Sequence, residues 1–208
     1  MPKYATEFIG TFFLVLTVGS TGIAAGPGVI APLAIGAILM VMIYAGGHVS
    51  GAHYNPAVTL GVFVRGRVPA RDVAPYVVVQ IAGSLAAAAV VLFFKTKAPA
   101  APFVAQVGPG CVAELLFTFA LAYVVLNTAT AKATAGNSYF GMAIGFTVLA
   151  GAFAVGDVSG GAFNPAVAVG AAAVGMLPWS AIWWYCAAEI VGATLAGVAF
   201  KALNPQDL

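Results

Sequence analysis

Long apolar stretches, interrupted by few charges, organise this chain. No Asp, Glu, Lys or Arg occurs between Phe8 and Val64. One membrane-spanning helix needs about 20 apolar residues, so this stretch alone holds two crossings and a remainder. The other charge-free stretches are 73–94, 115–131, 133–156 and 158–188. The pattern indicates a polytopic membrane protein built from helices.

Glycine and proline divide the apolar stretches into segments of two lengths. Gly26-Pro27-Gly28 separates the first two segments, and Pro32 opens the second. We predict six full spans, near 4–25, 32–49, 72–95, 111–128, 138–155 and 179–202. Two apolar segments, 55–65 and 164–175, are each about half a crossing long. The prediction is an all-α membrane protein with one channel-like domain spanning residues 1–208.

Composition supports this class and excludes several others. Hydrophobic residues make up 62% of the 208 residues and charged residues 7%, against about 25% charged in a soluble domain. The net charge is only +2, and no basic run exists to bind nucleic acid. Cys111 and Cys186 are too few for a disulfide framework or a metal cluster. No recognisable catalytic motif occurs, so we predict no enzyme activity, metal or cofactor.

The positive charges predict how the chain lies in the membrane. An even number of spans puts both termini on one side. If that side is cytoplasmic, six of the eight Lys and Arg residues lie inside, as the positive-inside rule expects. These are Lys3, Arg65, Arg67, Arg71, Lys132 and Lys201, while Lys95 and Lys97 lie outside. We expect a retained first helix and a multi-pass protein of the bacterial or archaeal cell membrane, with cytoplasmic termini.

The chain is an internal duplication. Glu7–Phe12 resembles Glu114–Phe119, and Ser50–Val58 resembles Ser159–Val167. The two matches have nearly the same offset along the chain, which indicates two repeats. Each repeat has an odd number of full spans, so the second is inverted relative to the first, a pattern that points to a midplane site. The predicted repeats are 1–97 and 108–208.

Each short segment begins with Asn-Pro, which predicts the start of a helix. Proline suits the first helical position and Asn is a strong N-cap. Glycines before Asn55 and Asn164 permit an irregular approach loop. The two half-helices then enter from opposite faces and bring their positive dipole ends together near the bilayer centre. We expect the Asn side-chain oxygens to cap the helices, which leaves both amide NH₂ groups free to face a pore.

Paired Asn-Pro-Ala motifs in an inverted six-span repeat resemble the aquaporin, or major intrinsic protein, family. The stretch Gly47–Gly61 matches the first half of that family's pattern almost residue for residue. The resemblance implies a passive pore in each protomer of a homotetramer, with water bonded to Asn55 and Asn164 at the centre and cations opposed by the helix ends. The implied motif residues are Asn55, Pro56, Ala57, Asn164, Pro165 and Ala166. The implied pore carbonyls belong to Gly51, Ala52, His53, Gly160, Gly161 and Ala162.

One departure from the family concerns its selectivity filter. Most members carry an Arg directly after the second Asn-Pro-Ala, where this chain has Val167. Aligning the motifs puts Ile35, Ala152 and Gly161 at the other filter positions. Without the Arg, the entrance becomes wider and more apolar. We therefore expect a channel for water and small neutral solutes such as glycerol, urea or peroxide, with relaxed selectivity.

Five ionisable residues in apolar segments call for an explanation. Glu7 and Glu114 are predicted to be buried and to brace the loop before each half-helix, with a proton relay as the alternative. His48 is predicted to be buried and to bond loop backbone. His53 is predicted to line the cytoplasmic vestibule, where a pH gate is the alternative. For Glu189 the sequence indicates no counterpart in the first half, and we assign it no role.

A coupled secondary transporter is the alternative function, because such proteins also use inverted repeats with broken helices. It would require an ion site, for which the spans offer little ionisable machinery beyond the two Glu residues of the repeat. The predicted partners of this chain are water, small neutral solutes, the lipid bilayer and further copies of itself.

Overall fold

The computed structural model describes residues 1–22, 30–95 and 101–207. Within these residues the chain forms eight α-helices joined by short connections. In chain order they are α1 (Pro2–Gly22), α2 (Ile30–Ser50), α3 (Pro56–Arg65), α4 (Ala70–Phe94), α5 (Val107–Val125), α6 (Phe140–Ser159), α7 (Pro165–Ala173) and α8 (Ile182–Leu203).

Six of these helices are long and apolar enough to cross a membrane. They are α1, α2, α4, α6 and two helices with short extensions, Val107–Thr130 and Trp179–Leu203. The remaining helices, α3 and α7, have 10 and 9 residues, which is half a crossing. The predicted fold class, with six spans and two half-helices, is confirmed. The limits of the two repeats, 1–97 and 108–208, stay a prediction.

The helix ends differ from the predicted spans by a few residues. α2 begins at Ile30 and continues to Ser50, and α5 begins at Val107 after Gln106. The predicted break at Gly26-Pro27-Gly28 and the end of the first predicted span, 23–25, lie outside the described residues.

The two halves interlock through their half-helices. In the first half α1 packs against α2 and α4, and in the second half α5 packs against α6 and α8. The half-helix α3 packs mainly against α8 of the other half, while α7 packs against α4 and α1. α2 and α6 form a further contact between the halves. The short helices therefore sit inside a ring of six spans, with their backbone buried by protein, as the membrane interior requires.

Both termini lie at one end of the molecule, which we call the terminal face. Lys3 near the N terminus pairs with Asp72 at the start of α4, with 2.7 Å between the charged atoms. Asp207 near the C terminus pairs with Arg65 at the end of α3 at 2.8 Å. Lys3, Arg67 and Lys132 line one cavity at this face. The even number of spans predicts this placement.

Candidate functional site

The two half-helices begin at their Asn-Pro pairs, as the sequence predicts. Asn55 caps α3 because its Oδ1 accepts hydrogen bonds from the amides of Ala57 at 2.8 Å and Val58 at 3.3 Å. Asn164 caps α7, and its Oδ1 accepts from the amide of Ala166 at 2.9 Å. In each case proline occupies the first turn, where its missing N–H costs nothing.

The tips of the half-helices are joined by crossed hydrogen bonds. The Asn55 Nδ2 donates to the carbonyl of Phe163 at 2.9 Å, and the Asn164 Nδ2 donates to the carbonyl of Tyr54 at 2.9 Å. The expectation that both NH₂ groups are wholly free is wrong, because each Asn side chain donates one N–H to a backbone carbonyl in the loop of the other half. One N–H per Asn remains for a bound molecule. Two helix N-termini, with their partial positive charges, thus meet at one point.

The loop before α3, residues 51–54, is fixed by a buried carboxylate. Glu7 is fully buried and accepts four hydrogen bonds. The donors are the Ser50 hydroxyl at 2.7 Å, the amides of His53 at 2.9 Å and Tyr54 at 2.7 Å, and the Gln80 side chain at 2.9 Å. A carboxylate with this many donors holds an irregular loop in one conformation. The geometry agrees with the bracing role expected for Glu7.

The loop before α7, residues 160–163, is fixed in the same way. Glu114 is fully buried and accepts from the Ser159 hydroxyl at 2.6 Å and from the amides of Ala162 at 3.0 Å and Phe163 at 2.6 Å. Glu189 is also fully buried, and its Oε1 accepts from the amide of Asn164 at 2.9 Å. The expectation that Glu189 has no counterpart in the first half is wrong, and the role that was left open is to hold the amide of Asn164. Its counterpart is Gln80, because the same offset along the chain relates these two residues and the two Asn-Pro-Ala motifs.

Both loops adopt backbone conformations that L-residues rarely take. Positive φ angles occur at Ala52, Tyr54 and Phe163, at 50°, 49° and 49°. Such strain persists only where surrounding groups hold the backbone in place. Here the hydrogen bonds to Glu7 and Glu114 hold it. The conformation leaves backbone acceptors unused. In the part of the chain that the structure describes, six carbonyls accept no hydrogen bond from protein, those of Gly51, Ala52, His53, Gly160, Gly161 and Ala162.

An inner cavity of about 250 Å³ runs beside these loops, and its wall is mostly apolar. Asn55, Asn164 and His53 bring polar groups to it, as do the loop residues 160–162. Among the residues that the structure describes, no Asp, Glu, Lys or Arg lines this cavity. A coupled transporter would need an ion site on such a path, and the wall offers no carboxylate for one.

The structure brings all four expected filter residues to the inner cavity: Ile35, Ala152, Gly161 and Val167. Gly161 has a φ of 68°, and a Cβ added there would lie 3.5 Å from the Cα of Ala152. The second loop and α6 are therefore neighbours at this level. Val167 is buried in the first turn of α7. None of the four side chains carries a charge or a hydrogen-bond donor.

A second cavity, of about 860 Å³, opens at the terminal face, and we call it the terminal cavity. It adjoins the inner cavity at residues that line both: Ile43, Ala52, His53, Val125 and Ile144. His53 stacks on Tyr76 with ring centroids 5.2 Å apart, and its Nδ1 lies 3.1 Å from the Thr59 hydroxyl. The imidazole thus stands at the junction of the two cavities.

His48 differs from its expected environment. It stands near the end of α2, which continues to Ser50, within the predicted span 32–49. In the single chain its side chain is exposed, and among the described residues it makes no hydrogen bond. The expectation of a buried, loop-bonding histidine is therefore wrong.

A charged cluster at the terminal face was missed by the sequence interpretation. The Asp207 carboxylate accepts from Arg65 at 2.8 Å, from Arg67 at 3.4 Å and from the backbone amide of Lys132 at 2.7 Å. Partial burial raises the pKa of Asp207, but the hydrogen bond from the Lys132 amide and the nearby Arg65 guanidinium lower it by more. The pKa of Asp207 therefore lies below its ordinary value. Arg65 also lies over the Phe200 ring at 4.4 Å. This cluster ties the end of α3 to the C-terminal segment.

Comparison with known proteins agrees with this geometry. Residues 1–200 match the model of the family described as major intrinsic protein. Aquaporin NIP1-4 of Oryza sativa subsp. japonica is 38% identical over 210 residues, which covers 95% of this chain and 75% of the relative. Aquaporin Z of Rhodopseudomonas palustris is 35% identical, and the match covers 98% of this chain and 94% of that protein.

Two further matches extend the comparison. Glycerol uptake facilitator protein-like 6 of Lactiplantibacillus plantarum is 35% identical over 217 residues, with both chains fully covered. The X-ray structure of the aquaglyceroporin from Plasmodium falciparum superposes with a TM-score of 0.82 at 19% identity, covering 99% of this chain and 97% of that one. That structure shows the shared fold. The chain therefore belongs to the major intrinsic protein family, whose members are membrane channels for water and small neutral solutes rather than enzymes.

Proposed function

We propose that this member of the family passes water together with larger neutral solutes through a pore in each chain. The observation that carries the proposal is the uncharged filter region formed by Ile35, Ala152, Gly161 and Val167. An Arg in a narrow neck would supply donors that replace hydration and would restrict the opening. Val167 supplies neither, so solutes larger than water meet a wider and more apolar entrance.

The loop carbonyls and the two asparagines define a polar track on one side of this path. A permeating water or hydroxyl group donates to the unpaired carbonyls of residues 51–53 and 160–162. At the centre it accepts from the remaining N–H of Asn55 and of Asn164, which orients its own hydrogens outward. The converging helix ends oppose cations, and the interrupted water chain opposes proton transfer.

The solute class follows from the apolar wall that accompanies this track. Residues such as Leu39, Leu121 and Val148 give the inner cavity an apolar surface. A solute with hydroxyl or amide groups on one edge and carbon on the other fits both sides. Glycerol and urea meet that description, and hydrogen peroxide resembles water in size and bonding. Relatives named for water-type and for glycerol-type channels are similar to this chain at the same level of identity.

Permeability of purified protein in liposomes tests the proposal. Stopped-flow light scattering measures osmotic water flux and the entry of glycerol and urea, and a trapped pH dye measures proton leak. We expect water and at least one larger solute to pass, with proton leak at the level of protein-free vesicles. Failure of water, glycerol, urea and peroxide alike to pass would refute the proposal.

Two variants on α6 provide a matched control for that experiment. Ala152→Phe places a ring beside Gly161 in the filter region, whereas Ala154→Phe places the same ring on the exposed face of the same helix. We expect the first variant to abolish flux and the second to keep it. Equal flux through both would place the path elsewhere.

We also propose a homotetramer in the cell membrane with both termini in the cytoplasm. The support is the family resemblance together with the predicted topology, which puts six of the eight Lys and Arg residues on the side of the termini. Native mass spectrometry of the detergent-solubilised protein gives the subunit number. Protease or thiol-labelling access at a terminal tag in sealed vesicles gives the orientation. A monomer, or a terminus exposed outside, would contradict the respective proposal.

A further inference from the structure

Positions 80 and 189 are equivalent in the two halves, yet they carry different chemistry. Gln80 on α4 and Glu189 on α8 are related by the offset that also relates Asn55 to Asn164. One helical turn earlier, Tyr76 and Tyr185 obey the same offset, and their hydroxyls donate to the carbonyls of the serines that end α2 and α6. The two helices therefore hold their loops in the same way, apart from the substitution of an amide by a carboxyl.

In the first half the pair is an amide with a carboxylate. The Gln80 Nε2 donates to the Glu7 Oε2 at 2.9 Å. Glu7 needs no proton for this bond, because the amide supplies the hydrogen. The other donors to Glu7, the Ser50 hydroxyl and the amides of His53 and Tyr54, likewise supply their own hydrogens.

In the second half the pair consists of two carboxyls. Consecutive backbone amides bind them, Phe163 to Glu114 and Asn164 to Glu189, which places the two side chains next to each other and within hydrogen-bonding reach. The Glu189 Oε2 is buried, and no donor among the described residues bonds to it. Two ionised carboxylates have no hydrogen to share, so a bond between them requires a proton on one.

Among the residues that the structure describes, no positive charge near the pair would let both carboxyls ionise. The other titratable groups near the pair are Tyr185, Cys111 and Cys186, none of which becomes a cation. The four ion pairs within the described residues all involve Asp72 or Asp207 at the terminal face. Both carboxyls are fully buried. Two adjacent buried carboxylates without a cation do not ionise together.

We propose that Glu114 and Glu189 share one proton at neutral pH, and that Glu189 is a positioning residue for Asn164. The Glu189 Oε2 carries the hydrogen and donates it to Glu114. This bond corresponds to the one that the Gln80 amide makes to Glu7 in the first half. The Glu189 Oε1 holds the Asn164 amide. The start of α7, with the Asn that reaches across to Tyr54, is therefore held by a protonated acid.

A pH-dependent property follows, and this part rests on the proposed channel function. When alkaline conditions remove the shared proton, two negative charges stand side by side in a buried site. Their repulsion loosens the second loop and displaces Asn164 from its contacts. We expect water flux to fall at high pH. The first half, which depends on an amide, has no such sensitivity.

Infrared spectroscopy of the purified protein tests the proton directly, whether or not the protein conducts. The chain has only six acidic side chains, so the carbonyl stretch of a protonated carboxyl can be counted. At neutral pH we expect one such band in the wild type and none in Glu189→Gln. Gln80→Glu recreates the acid pair in the first half and is expected to add a second band. Absence of the band in the wild type, or its persistence in Glu189→Gln, would overturn the proposal.

Liposome flux separates positioning from mere packing. Glu189→Ala removes both bonds of Glu189 and is expected to lower water flux, while Glu189→Gln restores flux at neutral pH and removes its decline at high pH. An alkaline decline unchanged in Glu189→Gln would refute the positioning role. If the infrared bands behave as expected but no variant conducts, the shared proton stands and the proposed function fails.

Discussion

One asparagine at the start of each half-helix organises the site, because its side-chain amide has three separate tasks. Asn55 caps α3 through its oxygen and holds the second loop through one N–H, which leaves the other N–H for a permeating molecule. Asn164 does the same for α7 and the first loop. Aspartate would keep the cap but lose both donors and add a negative charge. The pattern therefore requires an amide on both half-helices.

Val167 stands at the position where the family resemblance implies an Arg, and replacing it tests the filter. Val167→Arg puts a cation and several donors into the uncharged region formed with Ala152 and Gly161. We expect glycerol flux to fall by about tenfold, the effect of a barrier raised by about 1.4 kcal/mol, with a smaller loss of water flux. Stopped-flow measurements on both solutes give the ratio.

A size control separates charge from bulk at this position. Val167→Leu enlarges the side chain without adding a charge or a donor. We expect the ratio of glycerol flux to water flux to stay near that of the wild type. An arginine variant with unchanged solute selectivity would remove Val167 from the filter.

At the level of helices, the spans and half-helices are readable from the sequence because apolar length and Asn-Pro have direct physical meaning. The predicted segment 55–65 forms a helix at 56–65, and 164–175 forms one at 165–173. α7 ends early because the chain turns at Gly175, whose φ is 83°. Local signals thus give the existence of each element and leave its ends uncertain by a few residues.

The side-chain contacts of the site were harder to predict, since they join residues far apart in the chain. The crossed bonds of Asn55 and Asn164 depend on how the two tips meet, and no local pattern encodes that. The role of Glu189 could have been found from the repeat offset, which pairs it with Gln80. A search for identical residues in the two repeats misses this pair, because one is Glu and the other is Gln. The environment of His48 was also not predictable, because the end of α2 follows from the sequence but the face of the helix on which His48 lies does not.

Two glycines allow α1 to approach α4 and α5 to approach α8. A Cβ on Gly83 would lie 2.5 Å from the carbonyl oxygen of Phe8, and Gly192, its equivalent in the second repeat, faces the carbonyl of Leu115 in the same way. Backbone atoms cannot yield, so the helices must separate. We expect Gly83→Ala and Gly192→Ala each to destabilise the protein by about 1–3 kcal/mol. Thermal unfolding in detergent measures this.

The chain offers a control glycine within a helix. Gly108 lies in the first turn of α5, and nothing would stand within 4 Å of a Cβ added there. Gly108→Ala is expected to be neutral or to raise stability, by up to about 1 kcal/mol. Equal losses at Gly83 and Gly108 would show that close packing of the spans is not the cause.

Across the whole molecule, charged side chains hold the terminal face together, while no Asp, Glu, Lys or Arg among the described residues lines the inner cavity. Asp207 joins the C-terminal segment to α3 and to the connection at Lys132. Its pKa is lowered in the folded protein. The stabilisation is therefore complete above the ordinary value of 3.8 and is lost as the pH falls through the lower folded-state pKa.

Asp207→Asn tests this linkage. We expect the variant to unfold at a lower temperature than the wild type near neutral pH, and the difference to vanish once the pH is below the folded-state pKa. Asp157→Asn is the matched control, because Asp157 is exposed and forms no ion pair in the described part of the chain. A difference that persisted at acid pH would mean that the charge of Asp207 is not the cause.

A glycerol gradient applied to liposomes that contain the wild-type protein combines both solutes in one trace. Water leaving first shrinks the vesicles, and glycerol entering afterwards swells them again. The uncharged filter predicts rapid shrinkage followed by re-swelling faster than in protein-free vesicles, with proton leak unchanged in a parallel dye measurement. Rapid shrinkage without accelerated re-swelling would show a channel strict for water and would contradict the relaxed selectivity assigned to Val167.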